Sequence, residues 1–230
     1  MAFLYAFIAG STDLLSGWLT LRGWGSQIQP RYIVAFASGT ILSAAFFHVL
    51  PEVNWKSDTL FLALGFVTFY VLEKLMMIHA CGESECDTHR IGPIAVVGMA
   101  LDNVIDGAGI VIGYRINPLL GLAITIAVVL HEIPQGMTSA VIMREAGWRR
   151  PAIFLTLILA SLLYPIGALL AGWIPSFLQQ RMLAFIAGDF IYIGASDLLP
   201  EAHSNRSSFK LIGLTFLGVV FIFLVTRCIA

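Results

Sequence analysis

Long apolar runs separated by short polar segments dominate the chain. Eight such runs can be traced, near 2–21, 32–52, 58–79, 91–114, 118–143, 151–174, 182–203 and 209–229. A helix needs about 20 apolar residues to cross roughly 30 Å of hydrocarbon, and each run is close to that length. The pattern therefore predicts an all-α polytopic membrane protein with eight transmembrane helices.

Two polar clusters interrupt the fourth and fifth runs. Each contains residues four positions apart, which share one face of a helix. A charged carboxylate near the bilayer centre costs roughly 2.5–3.5 kcal/mol on insertion scales, and no lysine or arginine lies near either cluster, so protons or a bound cation are required. The mixture of carboxylate, imidazole and amide favours a divalent first-row metal over copper(I). The residues are Asp102, Asn103, Asp106, His131, Glu132 and Gln135.

Composition agrees with a membrane protein. The chain is 58% hydrophobic and 12% charged, with a mean hydropathy of +0.87, far from the values of soluble domains. The net charge of −1 gives no indication of nucleic acid binding. We expect one integral membrane domain over 1–230, with a loop at 80–90 and with membrane lipid and metal ions as its partners.

The distribution of basic residues predicts an orientation. With the N-terminus outside, one side of the membrane receives nine of the 13 lysines and arginines. Because cytoplasmic loops are enriched in Lys and Arg, this favours both termini outside the cytoplasm and the 80–90 loop inside. The short chain has little room for a soluble domain, which indicates a bacterial inner membrane.

The second and seventh runs are related to each other. AFASGTILSAAFFHVLPE at 35–52 aligns without a gap with AFIAGDFIYIGASDLLPE at 184–201, sharing six identities that include the closing Leu-Pro-Glu. The two runs cross the membrane in opposite directions in the orientation above. The alignment therefore predicts an inverted repeat, common in secondary transporters, that relates helices 1–3 to helices 6–8 around central helices 4 and 5.

Asp-Asn-Val-Ile-Asp-Gly at 102–107, followed by His-Glu-Ile-Pro-Gln-Gly at 131–136, resembles the paired motifs of the ZIP (Zrt/Irt-like) family of divalent metal transporters. The resemblance implies that the six cluster residues occupy metal-binding positions and that metal moves into the cytoplasm. Asp102 stands where histidine is usual in the family, and Gln135 where a further carboxylate or histidine is often found. We therefore expect one well-held metal rather than two.

Further polar residues fall near the ends of the second and seventh runs. His48 and Glu52 are four apart at one end, and Asp197 and Glu201 are four apart at the equivalent place in the repeat. We expect these pairs to pass metal into and out of the central site, although the two glutamates also fit solvated helix ends. Asp189 is expected to line the path or to form an interhelical hydrogen bond, and Asp13 is similar.

The loop after the third run combines two histidines, two cysteines and several acidic residues, which suits metal capture. Its C-x4-C spacing is not a standard zinc spacing, and an acidic, solvated loop is an equal alternative. The candidate ligands are His79, Cys81, Glu83, Glu85, Cys86 and His89.

Two other functions share features with this sequence. The segment from His131 to Gln135 is one residue away from the H-E-x-x-H of metalloproteases, but the second histidine is absent and Pro134 lies inside the motif. A proton- or sodium-coupled solute carrier also uses buried carboxylates. We expect that the protein is not an enzyme. We expect it to transport zinc by alternating access, with iron, manganese and cadmium as alternative substrates. The sequence does not determine whether the protein is a carrier or a channel, which ion is coupled to transport, or whether it forms a homodimer.

Overall fold

The computed structural model describes residues 1–23, 29–81, 93–204 and 208–229, and all regular structure among them is helical. The predicted all-α class is therefore confirmed. The helices are α1 (Ala2–Leu21), α2 (Pro30–Ala44), α3 (Thr59–Cys81), α4 (Pro93–Ile116), α5 (Pro118–Glu145), α6 (Arg150–Ser161), α7 (Leu163–Ala171), α8 (Ser176–Ile191), α9 (Leu199–His203) and α10 (Phe209–Ile229).

Six helical segments in the described part of the chain are long and apolar enough to cross a membrane. They confirm an integral membrane protein, while the count of eight spans stays a prediction. Two of them contain more than one helix, because α6 continues into α7 and α8 continues into α9. The segments are Ala2–Leu21, Pro30–Glu52, Pro118–Glu145, Arg150–Ala171, Ser176–His203 and Phe209–Cys228.

Local chemistry sets both ends of α5. The side chain of Asn117 accepts a hydrogen bond from the Leu119 backbone N–H at 2.9 Å, and Pro118 occupies the first turn, where its missing N–H costs nothing. At the other end, Gly147 has φ +81° and its N–H donates to the carbonyl of Arg144, while Trp148 donates to Met143. This is a Schellman ending, which uses glycine's access to positive φ.

The sixth apolar run is broken, which the sequence pattern did not predict. Its helix is interrupted at Leu162. Pro165 has no N–H to donate to the carbonyl of Ser161 four residues earlier, and that carbonyl oxygen lies against Gly10 of α1. The break therefore places a polar backbone group between helices.

The seventh run begins earlier than expected, at Ser176 rather than at 182. Pro175 occupies the N-cap position of α8. Arg181, which was expected to lie outside the span, is accommodated within the helix because its guanidinium lies 5.5 Å from the centre of the Phe61 ring, a favourable cation–π geometry.

Two segments of π-helix occur at matching places in the second and seventh runs. They cover Ala45–Val49, directly after α2, and Tyr192–Leu198, directly after α8. Pro51 and Pro200 follow them, and each proline removes the hydrogen bond that a regular helix would make to a carbonyl inside the π segment. π segments of this kind are often found at functional sites.

Four helix pairs approach one another closely through glycines. In each pair, glycine on either helix faces a backbone oxygen of its neighbour, so that any larger side chain would collide with it. Membrane helices associate mainly through such close packing, because lipid is as apolar as leucine. The pairs are α1–α5 at Gly17 and Gly136, α2–α10 at Gly39 and Gly218, α3–α8 at Gly65 and Gly188, and α4–α7 at Gly107 and Gly167.

We predict that Gly188→Ala destabilises the protein. The new methyl group would overlap the carbonyl oxygen of Leu62, and overpacking of this kind costs about 1–3 kcal/mol. The matched control is Gly213→Ala in α10, where nothing lies within 4 Å of the new carbon and alanine favours the helix by about 0.5–1 kcal/mol. Thermal unfolding in detergent measures both, and equal midpoints for the two variants would contradict the prediction.

Candidate metal centre

The hairpin between α4 and α5 brings the two polar clusters to similar depth. Asn117 alone separates the helices. Asp106 lies eleven residues before it and His131 fourteen residues after it. At 1.5 Å of rise per residue, these positions are about 16 Å and about 21 Å from the turn. The expectation that the two clusters face each other therefore follows from the chain's own connectivity.

Three of the predicted ligands converge. One ligand atom from each of Asp102, Asp106 and His131 lies within 4.8 Å of the other two. All three side chains are buried, with Asp106 fully enclosed. A set of two carboxylates and an imidazole is typical of sites for zinc and other divalent first-row ions.

A backbone contact orients His131. Its Nδ1 lies 3.1 Å from the carbonyl oxygen of Ala127; because a carbonyl only accepts, Nδ1 carries the hydrogen. In the neutral imidazole, Nε2 then presents a lone pair, 3.3 Å from Oδ2 of Asp106 and 3.1 Å from Oε1 of Glu132. This is how histidine is usually held for metal binding.

Nε2 of His131 therefore lies beside two carboxylate oxygens, one from Asp106 and one from Glu132. Oδ2 of Asp106, Oε1 of Glu132 and Nε2 of His131 have no hydrogen-bond partner among the described residues. Zinc binds nitrogen and oxygen at roughly 2.0–2.2 Å in a tetrahedron, which separates neighbouring ligand atoms by about 3.3 Å. The two separations from Nε2 match neighbouring ligands in such a shell, and a cation bound there would offset the negative charge of the carboxylates.

The charge around this cluster is strongly negative. Asp102, Asp106 and Glu132 are buried together, and no lysine or arginine is buried among the described residues. Even a protonated His131 would leave two negative charges uncompensated if all three carboxylates were ionised. Buried charges of this kind require a paired or coordinated cation, or protons.

The two amides of the predicted set are hydrogen-bonded to each other. Gln135 donates from Nε2 to Oδ1 of Asn103 at 3.2 Å, and Asn103 donates from Nδ2 to the carbonyl of Ala160 at 3.1 Å. Both the oxygen and the nitrogen of the Asn103 side-chain amide are therefore hydrogen-bonded. The structure places these residues beside the carboxylates, and their role as ligands stays a prediction.

Two further carboxylates lie close to the centre. Asp189 on α8 is fully buried, its oxygens have no hydrogen-bond partner among the described residues, and it is within electrostatic range of Asp102 and Asp106. Asp13 on α1 is also buried and interacts electrostatically with His131. The α1 and α8 helices thus approach the site from outside the α4–α5 hairpin.

His48 and Glu52 line a cavity of about 430 Å³ together with residues of three other segments, among them Asn117, Leu120 and Arg227. Nε2 of His48 lies 2.9 Å from Oγ1 of Thr226 on α10. The cavity is at the end of the protein where α4 turns into α5. The structure therefore places the first predicted pathway pair at one mouth.

The second predicted pair lies at the opposite end. Asp197 is in the π segment after α8 and Glu201 is in α9, and both are exposed. Nearby, the hydroxyl of Tyr192 donates to Oε2 of Glu73, and Lys74 forms an ion pair with Glu73 at 2.6 Å. This end therefore carries both signs of charge.

The predicted capture loop lies outside what can be described. Glu83, Glu85, Cys86 and His89 fall between described segments, and the side chains of His79 and Cys81 are likewise outside the description. Metal capture by these six residues stays a prediction.

One residue near the site was missed by the sequence reading. Tyr164, at the start of α7, is completely buried, and its hydroxyl lies within interaction range of Glu132 and Asp106. The only signal in the sequence is its position before Pro165, since a proline in an apolar run marks a kink that can turn a polar group inward.

We predict that Asp106→Asn abolishes tight divalent metal binding. The amide is nearly the same size but removes the charge of a convergent ligand. The loss in affinity should exceed the roughly 10- to 100-fold typical of outer-shell changes. Titration calorimetry of the purified protein with Zn²⁺ measures it, and the control is Asp58→Asn, a buried aspartate beside the start of α3. Unchanged affinity in Asp106→Asn would contradict the assignment.

Relatives among known proteins are zinc transporters by name. "Zinc transporter ZIP13" of Pongo abelii is 25% identical over 79% of this chain and 61% of its own length. "Zinc transporter YKE4" of Saccharomyces cerevisiae is 24% identical over 78% of this chain and 63% of its own length. The chain thus spans less than two thirds of either relative.

These relatives overturn one expectation. They are eukaryotic proteins, so the placement in a bacterial inner membrane is wrong. It rested on the shortness of the chain, which carries no information about the source. Integration into a membrane is supported by the long apolar helices.

A family comparison agrees with the motif resemblance. The model described as "ZIP Zinc transporter" matches residues 80–229, well over half of the chain. That segment includes the α4–α5 hairpin and both polar clusters. Members of the family are transporters, which confirms the expectation that the chain is not an enzyme. The chain belongs to the ZIP zinc transporter family.

Proposed function

We propose that this protein transports a divalent metal cation, zinc by preference, across a membrane into the cytoplasm. The observation that carries the proposal is the convergence of Asp102, Asp106 and His131, with unpartnered acceptor atoms facing one another in a buried site. An empty arrangement of this kind is unfavourable, and a divalent cation stabilises it. Zinc is also the metal in the names of the relatives.

The donor set supports zinc first and leaves iron, manganese and cadmium as alternative substrates. One imidazole with several carboxylates is borderline in softness and suits zinc, iron and manganese. Among the described residues, the convergent set contains no cysteine, which disfavours copper(I). A panel of ions therefore discriminates between these substrates directly.

A single metal in the centre is supported by the amide pair. Asn103 and Gln135 are hydrogen-bonded to each other, and an amide carries no charge to offset that of a second cation. The convergent ligands form one group. We infer that the resting occupancy is one ion.

We propose eight spans built from an inverted repeat. The inverted repeat is supported by the π segments, which occur in both copies of the aligned sequence directly before Leu-Pro-Glu. The glycine contacts support it too: Gly39 in α2 and Gly188 in α8 are aligned by the repeat, and each packs on the last helix of the other half. Helices α2–α10 and α8–α3 are then equivalent pairs.

The two mouths suggest alternating access as the mechanism. His48 and Glu52 would receive metal through the cavity beside α10, and Asp197 and Glu201 would release it at the other end, with Asp189 between site and path. The proposed repeat makes the His48–Glu52 and Asp197–Glu201 pairs equivalent. If each half of the repeat then adopts the conformation of the other, one mouth opens while the other closes. The whole of 1–230 then acts as one transporter domain.

We predict that the protein in proteoliposomes accumulates Zn²⁺ and that Asp106→Asn does not. Uptake of Zn²⁺, Fe²⁺, Mn²⁺ and Cd²⁺ is measured with an internal fluorescent indicator or by elemental analysis. In Gln135→Glu, a carboxylate replaces the amide that holds Asn103, so binding should rise from one metal per chain toward two. If wild-type vesicles take up no divalent ion faster than Asp106→Asn vesicles, the proposed function fails.

We also predict that His48→Ala raises the KM for Zn²⁺ uptake with little change in kcat. The variant removes a ligand group from the mouth and the bond to Thr226, but leaves the central ligands untouched. His203→Ala, which changes a partly buried histidine near the opposite end, is the control. An unchanged KM in His48→Ala would remove this residue from the path.

A further inference from the structure

Tyr164 occupies an unusual place in the fold. It follows the break at Leu162 that separates α6 from α7 and precedes Pro165. Its side chain is completely buried, although tyrosine normally keeps its hydroxyl in contact with water or a partner. A phenol hydroxyl that is buried in this way needs a hydrogen-bond partner inside the protein.

The surroundings fix the position of this residue. The carbonyl oxygen of Tyr164 lies against Gly107 of α4, where any side chain would collide with it. On α1, a methyl group at Gly10 would lie 3.0 Å from Cδ2 of the ring and would collide with the carbonyl of Ser161. Both neighbouring helices therefore use glycine to admit this segment, so the ring has little freedom to move.

The hydroxyl of Tyr164 and the carboxylate of Glu132 are complementary. Among the described residues, the Tyr164 hydroxyl has no hydrogen-bond partner, and neither Oε1 nor Oε2 of Glu132 has one. The two groups lie within interaction range of each other. A phenol can donate whereas an ionised carboxylate can only accept, and leaving both buried groups unpaired is unfavourable.

We propose that Tyr164 is a positioning residue for the metal centre: its hydroxyl donates to Oε2 of Glu132 and holds Oε1 beside Nε2 of His131. This deepens the proposed function and rests on it. Oε1 is already 3.1 Å from Nε2, a separation suited to two ligands of one ion. With Oε2 held by the phenol, Glu132 offers the metal a single oxygen in a fixed place.

The consequence for metal binding follows from the geometry of the donors. A glutamate side chain has three rotatable bonds, and a free carboxylate can bind through one or both oxygens. Fixing one oxygen lowers the entropy cost of binding and favours ions that accept a compact, four-coordinate shell. Outer-shell partners of metal ligands contribute roughly 10- to 100-fold in affinity.

The test compares Tyr164→Phe with the wild type, using Co²⁺ as a spectroscopic substitute for zinc. The variant removes only the hydroxyl. We expect Co²⁺ and Zn²⁺ to bind on the order of 10-fold or more weakly and the visible Co²⁺ bands to change in position and intensity, because these bands report coordination geometry. The control is Tyr32→Phe, a tyrosine at the start of α2 away from the site.

A double-mutant cycle shows whether Tyr164 acts through Glu132. In the Glu132→Gln background, Tyr164→Phe should have much less effect than in the wild type, because the shared interaction has already been altered. An equal effect in both backgrounds, or unchanged Co²⁺ spectra and affinity in Tyr164→Phe, overturns the proposal. If the wild type itself binds neither Zn²⁺ nor Co²⁺, it is the proposed function that fails.

An infrared measurement on the wild-type protein removes any dependence on folding of the variants. With isotope-labelled tyrosine, addition of Zn²⁺ should shift the C–O stretching band of one tyrosine, because a metal bound to Oε1 weakens Oε2 as the acceptor of the Tyr164 hydroxyl. The absence of any tyrosine band in the zinc-induced difference spectrum would also overturn the proposal.

Discussion

The mutual repulsion of unpartnered acceptor atoms is the constraint on which the centre of this protein depends. Nε2 of His131 is held 3.1–3.3 Å from oxygens of Glu132 and Asp106, in a region without a buried lysine or arginine among the described residues. Packing must hold these atoms together against their repulsion when neither a cation nor additional protons are bound. The surrounding helices must therefore be rigidly joined.

Glycine supplies that rigidity. Four helix pairs meet with backbone against backbone, which maximises van der Waals contact in a solvent that offers no hydrophobic driving force between helices. Two of these pairs, α1–α5 and α4–α7, contain the helices that carry the site. Gly107 lies next to Asp106 along α4, so the residue that permits close packing is adjacent to the residue that packing must hold in place.

Much of the site could be predicted because helical periodicity is local. The spacing of Asp102 and Asp106 places them on one face whatever the rest of the chain does, and the short turn at Asn117 sets the depth of His131. The hydrogen bond between Asn103 and Gln135 could not be predicted, since it depends on the rotation of two helices about their axes. Tyr164 was missed for the same reason: its role depends on a helix break whose direction only the packing against α1 and α4 determines.

The proposed repeat gives the helix irregularities a common physical origin. Pro51 and Pro200 each remove a backbone hydrogen bond, and each follows a π segment, so both helices are weakened at equivalent distances from the centre. The hairpin of α4 and α5 has no such segment and runs without interruption through Pro134. A motion that opens one mouth at a time would therefore bend α2 and α8 at their π segments while the metal ligands on α4 and α5 keep their geometry. Metal binding would then depend on α4 and α5, whereas access of the metal to the site would depend on α2 and α8.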